Sequence, residues 1–481
     1  MTAGVPSDKH VVVIGGGVAG LVAALECARI GVRVTLVEAA DRLGGCIRTE
    51  EVAGVAVDVG AESFATRGGT VRALIERLGL EEAVIAPNSA GAWLLFGDSA
   101  APLPKAGILG IPSNPLADDV RAIIGWKGAW RAYLDRVRPV LTIGDERNLG
   151  ALVEKRMGKA VLENLVAPVT NGVYSAEPSQ LDVTRAAPGL NRALTVAGSL
   201  SGAVATLRDN VPAGSAVGGF RGGMTVLVEA LRAALENYAV TVLTDTRAQA
   251  IEPLDGERWR VVTETSEGEG AETDADAVIV AVPEPVAVEL LAPHVPAFSA
   301  HAAARPPAVD IVTLAIDSPE LDAEPRGTGV LTARSANRVA KALTHSSAKW
   351  EWLAESIGAP HRHIVRVSFG TQGASSPLEG LDEGAVIDLA RREASAMLGV
   401  SIAADQVVDA VRTSWAGTLP AAFSGQRERA AALRDAIAAV PGLDATGAWL
   451  AGTGLASVIP DATEAAGRVR HRIVAEALGA D

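Results

Sequence analysis

The chain opens on a pattern that alternates buried strand and amphipathic helix. His10 to Ile14 (HVVVI) is a continuous apolar run, as expected of a strand covered on both faces of a parallel sheet. Gly15 to Gly20 turns the chain, and apolar residues then recur at helical spacing from Leu21 to Ile30. Gly31 ends that helix, and Val32 to Val37 (VRVTLV) predicts the next strand. Together these form one βαβ unit whose crossover should be right-handed.

Further along, Val71 to Leu80 reads as a helix closed by Gly79, and Pro102 to Pro115 as a loop or linker. Arg121 to about Ala187 is mostly helical, with Trp126, Trp130, Tyr133 and Leu134 on a mixed face. The glycine-rich stretch Gly214 to Gly223 leads into a helix from Met224 to Leu235. Tyr238–Ile251 and Arg258–Thr265 predict strands, followed by an acidic turn, Ser266 to Asp276. Ala277 to Val282 is another buried strand, stopped by Pro283 and Pro285. Pro306–Ile316 and Ile364–Phe369 predict strands of a later domain. A helix over 425–440, a strand over Trp449–Ala451 and a closing helix from Asp461 to Leu478 complete the reading. Strand–helix alternation at both ends points to a discontinuous Rossmann-type domain in a fold of mixed α/β and α+β class. The expected division is 1–85, 214–285 and 440–481 for a dinucleotide domain, 86–104 and 286–439 for a mixed-sheet substrate domain, and 105–213 for a helical insert.

Composition narrows the partners. The 481 residues carry 57 acids against 43 Lys and Arg, a net charge of −14. Nucleic acid is therefore not expected as a partner, and an anionic substrate needs local cations. Cys27 and Cys46 are expected as free thiols in a reducing compartment. With no apolar signal core at the N-terminus, the expected location is cytoplasmic. No Cys or His cluster has metal-ligand spacing, so no metal is expected. His361-Arg362-His363 reads as an exposed edge.

The first chemical motif is Gly15-Gly16-Gly17-Val18-Ala19-Gly20, a G-x-G-x-x-G turn between a buried strand and a helix. Gly15 permits the tight turn, Gly17 lets a pyrophosphate approach the helix N-terminus, and Gly20 with Ala24 lets the helix lie close on the sheet. Glu38, closing the second strand and followed by Ala39, should accept hydrogen bonds from a ribose and argues against a 2′-phosphate. Arg42-Leu43-Gly44-Gly45-Cys46-Ile47-Arg48-Thr49 follows, in which a glycine pair lets a second backbone segment close over the pyrophosphate and Arg42 adds charge. Gly452-Thr453-Gly454 also admits reading as a second nucleotide loop, though without a third glycine or a downstream acid.

The stretch Arg42 to Thr49 resembles the R-x-G-G-x-x-x-T segment of flavin amine oxidases, phytoene desaturases and protoporphyrinogen oxidases. Gly60-Ala61-Glu62-Ser63-Phe64, Pro168 to Pro178, Gly219 to Met224 and Pro441 to Asp461 are similar to segments of the bacterial coproporphyrinogen III and protoporphyrinogen oxidases. This resemblance implies non-covalent FAD, a porphyrinogen substrate, O₂ as acceptor and hand-off of product to a ferrochelatase. It favours coproporphyrinogen III over protoporphyrinogen IX; a flavin amine oxidase and a non-catalytic flavin- or porphyrin-binding protein are the alternatives. It also implies that Gly60 to Ser63 line the flavin, that Ala248 contacts the adenine, that Trp415 lies near the flavin, and that Gly452, Ser457, Val458 and Ile459 approach its pyrimidine edge. Asp461 and Glu464 read as a capping pair heading the closing helix, whose N-terminus would favour the reduced flavin's anion. Arg67 is expected on a substrate propionate. The sequence departs from the family at Ala421, Ala422 and Gln426 and in a shortened loop at 452–460. The basic residues Arg121, Lys127, Arg131, Arg136 and Arg138 suit a solvated helix or a weak contact with an anionic membrane, and little or no membrane attachment is expected.

Overall fold

A computed structural model describes residues 8–66, 68–139, 146–209, 217–255, 257–298, 308–371, 374–415 and 425–477. A five-stranded, all-parallel sheet has the order Thr241–Leu243, Arg33–Val37, His10–Ile14, Ala277–Val280, Leu443–Ala445. Its central strand is buried at every position, which explains the unbroken apolar run. On one face pack helices Val18–Ala28, Thr225–Asn237 and Leu455–Ala477, meeting over Leu21, Leu36, Leu231 and Ala466. The other face is covered by an antiparallel three-stranded sheet and by helices Glu284–Leu291 and Gln426–Ala438. Those two helices lie mostly or wholly beyond 285, in the stretch expected to form the substrate domain, yet they bury Leu290 and Leu433 against the parallel sheet.

The second sheet has seven strands in the order Val407–Ser414, Asp310–Asp317, Arg362–Phe369, Ala342–His345, Gly329–Thr332, Ala92–Phe96, Ser99–Pro102. Only the Gly329–Thr332/Ala92–Phe96 pair is parallel. Helix Glu383–Leu398 seals one face over Val312, Val367 and Phe369. The helical insert builds its own core from Leu149, Leu152, Met157, Leu165 and Leu190.

Several sequence expectations are corrected. The strand foreseen over Tyr238–Ile251 breaks at Asp245 (φ 53°) into Thr241–Leu243 and Thr246–Pro253, which join different sheets. The acidic turn contains a strand, Gly270–Ala275; it is polar because it is an edge, and Arg260 pairs with Glu272 and Asp274 across it. The Pro102–Pro115 linker holds a short pairing of Gly107–Ile108 with Ile111–Pro112. Trp449–Ala451 lies in a helical turn, Ala448–Ala451, and the sheet strand is instead Leu443–Ala445. Three apolar residues fit either state, and here Trp449 is buried beside Phe298 rather than paired. The closing helix starts at Leu455 with Pro460 inside it, so Asp461 and Glu464 do not head it. Pro460 has no N–H for the carbonyl of Ala456, which accepts from Thr70 Oγ1 at 3.5 Å. Of His361–His363, His361 is exposed in the turn before the strand, but Arg362 and His363 begin a strand inside the sheet, and His363 Nδ1 meets the buried His345 Nε2 at 3.1 Å.

Candidate functional site: a glycine clasp and a buried charge cluster

Two glycine loops lie face to face at the carboxyl end of the parallel sheet. Gly17 and Gly44 form a parallel bridge, and the Gly44 N–H donates to the Gly16 carbonyl at 2.9 Å. Gly15 turns with φ 110°, where a Cβ would sit 2.5 Å from the Ala281 carbonyl. A Cβ on Gly20 would fall 1.8 Å from the Gly15 carbonyl, so helix and turn touch only because residue 20 is glycine. Helix Val18–Ala28 has no side-chain cap and no acid in its first turn. Its free N–H groups and positive end therefore face an opening suited to a pyrophosphate. Val18 and Ala19 are buried in that first turn, whereas Gly45 and Cys46 are exposed at the clasp.

Glu38 ends strand Arg33–Val37, half-buried, with Oε2 accepting from Gly16 N at 2.6 Å and Oε1 from Ala40 N at 2.8 Å. It thus ties the first turn to the exposed Ala39–Ala40 bend. The chain after strand Thr241–Leu243 runs beside it: Glu38 N donates to Leu243 O, and Thr246 N to Glu38 O. Ala248 lies two residues beyond, at a β-bulge, and so at the same end of the sheet as Glu38. Arg42 spends its guanidinium on the carbonyls of Leu43, Gly45 and Ile47 at 3.3–3.4 Å, shaping the glycine-pair turn rather than pointing a free charge at the opening.

The same turn holds the next segment. Ala61 N donates to Cys46 O at 3.0 Å, and a Cβ on Gly60 would strike that carbonyl at 2.0 Å and the Trp415 ring at 2.9 Å. Trp415 Nε1 donates to Val59 O at 3.2 Å. Trp415, Cys46 and the segment from Val59 to Ala61 are therefore one assembly. Beside it lies a cluster whose cations the sequence reading missed. Glu62 accepts from Lys349 Nζ at 2.5 Å, from Arg366 at 2.6 Å and from Ser346 Oγ at 3.4 Å. Arg366 also donates to Gly60 O at 2.6 Å. Burial alone would raise the Glu62 carboxyl, but Lys349 and Arg366 outweigh it and hold it down at about 2. The buried Asp58 lies close enough to feel both Glu62 and Arg366, so the cluster joins two acids to two cations. The missed signal is Arg366 itself, a charge in the middle of the apolar strand IVRVSF.

The C-terminal residues divide. Gly452 (φ 102°) and Gly454 separate two helices rather than following a strand, so the loop is not a second nucleotide turn. Val458 and Ile459 are buried against helix Val18–Ala28. Ser457 lines a cleft of about 420 Å³ with Arg427, Arg434 and Glu464, to which the Gly60 segment does not contribute. Asp461 accepts from Thr446, Gly447 and Arg434. Gln426 is buried and donates to Trp449 O at 3.2 Å. Arg67, Ala421 and Ala422 lie outside the described residues. Cys27 is buried and free, its thiol pushed up to about 12 by desolvation. No group of three or more His, Cys, Asp or Glu that could hold a metal occurs among the described residues.

The model of the flavin containing amine oxidoreductases matches residues 18–473. The chain belongs to that family. It is accordingly an FAD-dependent oxidoreductase. The coproporphyrinogen III oxidase of Mycobacterium leprae (strain TN) is 32% identical over 98% of this chain and 99% of its own length. The coproporphyrinogen III oxidase of Bacillus subtilis (strain 168) is 27% identical over 94% of this chain and 96% of its own. A crystal structure from Exiguobacterium sp. 255-15, assigned as a protoporphyrinogen oxidase, superposes with TM-score 0.82 at 25% identity, covering 96% of this chain and 99% of that one.

Proposed function

We propose that this protein oxidises coproporphyrinogen III to coproporphyrin III with O₂ as acceptor. The observation that carries the reading is the similarity to coproporphyrinogen III oxidases along almost the whole chain, not over the nucleotide motif alone. The clasp fits FAD: Gly17 and Gly45 pack backbone against backbone with no side chain between them, and the helix that follows Gly17 has an uncapped N-terminus. When bound, FAD supplies hydride acceptance from the macrocycle and passes the electron pair to O₂ as H₂O₂.

The chain's own residues bind and orient. Gly15–Gly20 with Gly44 and Gly45 hold the pyrophosphate, Glu38 the ribose, and Ala248 lies at the adenine end. Gly60–Ser63, backed by Trp415 and Cys46, form the wall for the flavin ring. Arg366 fixes that wall by its bond to the Gly60 carbonyl, and with Lys349 it keeps Glu62 ionised, so Glu62 is not a proton donor at neutral pH. Arg67 is proposed to meet a substrate propionate, Gly452 and Ser457–Ile459 to be an outer contact of the site through the helix that starts at Leu455, and the three-domain division to hold with 286–298 and 426–438 moved to the nucleotide domain. Among the described residues no helix is long and apolar enough to cross a membrane.

The test is aerobic turnover of the purified yellow protein with coproporphyrinogen III or protoporphyrinogen IX, following porphyrin absorbance and H₂O₂ together. Faster porphyrin formation from coproporphyrinogen with matching H₂O₂ supports the reading. Preference for protoporphyrinogen would shift the substrate, and oxidation of neither would remove the activity.

A further inference from the structure

A cleft of about 350 Å³ opens where the helical insert meets the edge of the seven-stranded sheet. Ala92 and its two predecessors form one side, and Leu103, Leu109, Pro112 and Val169 supply much of the rest. Among the described residues of this lining, Lys105 is the one charged group. Its loop is held in place by the backbone. Arg208 donates to the carbonyls of Lys105 and Gly107, and Ser113 donates to Ala106 O through both N and Oγ, at 2.8 and 2.9 Å. The Lys105 side chain itself is exposed.

Ala92 connects the cleft to the wall built on Gly60. It lies opposite Gly329, Gly329 opposite Thr344, and Thr344 opposite Arg366. Residues paired in this way point to one face of a sheet, so the row crosses three strand spacings, about 14 Å. Arg366 ends it on the Gly60 carbonyl. Between its ends the row carries only Gly329 and the half-buried Thr344. Helix Ala167–Tyr174 rests on the neighbouring row, with Gly172 against Leu331 and Ala342. Val169 of that helix lines the cleft, and Val173, one turn further, is 60% exposed.

The cleft is too small for a tetrapyrrole and ample for one substituted pyrrole. The row that leads to it is comparable with the reach of a tetrapyrrole from its reacting edge to a carboxylate on the far side. An apolar lining suits the ring and its alkyl groups, and a single lysine on a fixed loop suits an anion. We propose that the cleft receives the pyrrole ring farthest from the flavin and that Lys105 binds its propionate. Coproporphyrinogen III has a propionate on every ring, whereas two rings of protoporphyrinogen IX carry vinyl groups instead. Lys105 therefore favours the substrate with four carboxylates. This assignment rests on the porphyrinogen reading and concerns the end of the site opposite to Arg67.

KM for both porphyrinogens is measured for the wild type, Lys105→Met, Lys105→Arg and Val169→Phe. Lys105→Met should raise KM for coproporphyrinogen III several-fold, the effect of losing an exposed ion pair, and KM for protoporphyrinogen IX less. Lys105→Arg should recover most of the loss. Val169→Phe fills the cleft without changing its charge and should raise KM for both. Quenching of tryptophan fluorescence by coproporphyrin III reads binding apart from turnover, and its affinity should fall in Lys105→Met by a similar factor. Because Lys105 is exposed, its variants should keep the flavin content and melting temperature of the wild type. A wild type that oxidises neither porphyrinogen overturns the functional reading and this assignment with it. If the wild type oxidises coproporphyrinogen III but Lys105→Met keeps both KM values, or raises both equally, the assignment alone is overturned.

Discussion

Lys341 is a lysine placed where a lysine is costly. It is 7% exposed, and among the described residues its Nζ has one partner, the Ser175 hydroxyl at 2.5 Å. The carboxylates tied to neighbouring residues are engaged elsewhere: Glu393 accepts from the Val339 and Ala340 N–H groups, and Glu177 pairs with Arg334. Burial brings the ammonium down to about 7 from its usual 10.5. The pair joins the sheet just before strand Ala342–His345 to the end of helix Ala167–Tyr174, where Gly172 lies against Leu331 and Ala342.

Replacing Lys341 with Met tests this directly. The native group loses its proton near 7 and the unfolded one near 10.5, so between those values the unfolded chain binds more protons and stability rises with pH. Below about 7 the native protein bears the full cost, at most about 4–5 kcal/mol from that interval at 1.36 kcal/mol per unit. Lys341→Met removes that cost and loses one hydrogen bond worth about 1 kcal/mol. The variant should therefore be more stable than the wild type at pH 6.5. Its advantage should shrink by about 1.4 kcal/mol per pH unit above 7 and vanish or reverse near pH 10. Thermal unfolding of both proteins across this range reads the difference, because titrations common to both cancel. A difference in melting temperature that is independent of pH would show that Lys341 stays charged and would refute the reasoning.

Glu62→Gln should leave Lys349 and Arg366 buried without their anion, a loss of about 3–5 kcal/mol by the usual cost of breaking such a pair; an unchanged melting temperature would count against the cluster. Because the native Glu62 carboxyl lies near 2, below its ordinary 4.5, its stabilisation is present above 4.5 and lost as pH falls towards 2. The wild type's stability should thus drop more steeply over that window than that of Glu62→Gln, as acid unfolding monitored by tryptophan fluorescence would report. Glu38→Ala should weaken FAD by roughly ten- to a hundredfold, with Glu38→Gln intermediate because its single amide oxygen can still accept from Gly16 or Ala40 but not from both; titration of the stripped protein with FAD giving wild-type affinity would remove the ribose contact. FAD should leave with the supernatant on acid precipitation, and flavin colour retained in the pellet would show a covalent link.

The two halves of the site were legible to different degrees, for a physical reason. The clasp is made of backbone, and backbone that must turn tightly or pass close to other backbone demands glycine at fixed local spacing. Gly15, Gly20, Gly44 and Gly60 were therefore readable, and each meets a carbonyl within 3 Å of where its Cβ would be. The charge cluster is made of side chains that meet only after folding: Arg366 stands 304 positions from Glu62 and Lys349 stands 287. No local spacing encodes such a pairing, and a lone arginine in an apolar strand marks only that a partner exists. The C-terminal misreading has a third origin. Pro460-Asp461-x-x-Glu464 carries the signs of a helix start, yet the helix begins at Leu455, and Asp461 accepts instead from Thr446 and Gly447. The same division bears on function. The locally encoded half is shared by flavoproteins that act on unlike substrates, so it fixes the cofactor. The surfaces that meet a substrate are assembled from distant segments, so the choice of porphyrinogen rests on similarity along the entire chain and not on any one motif.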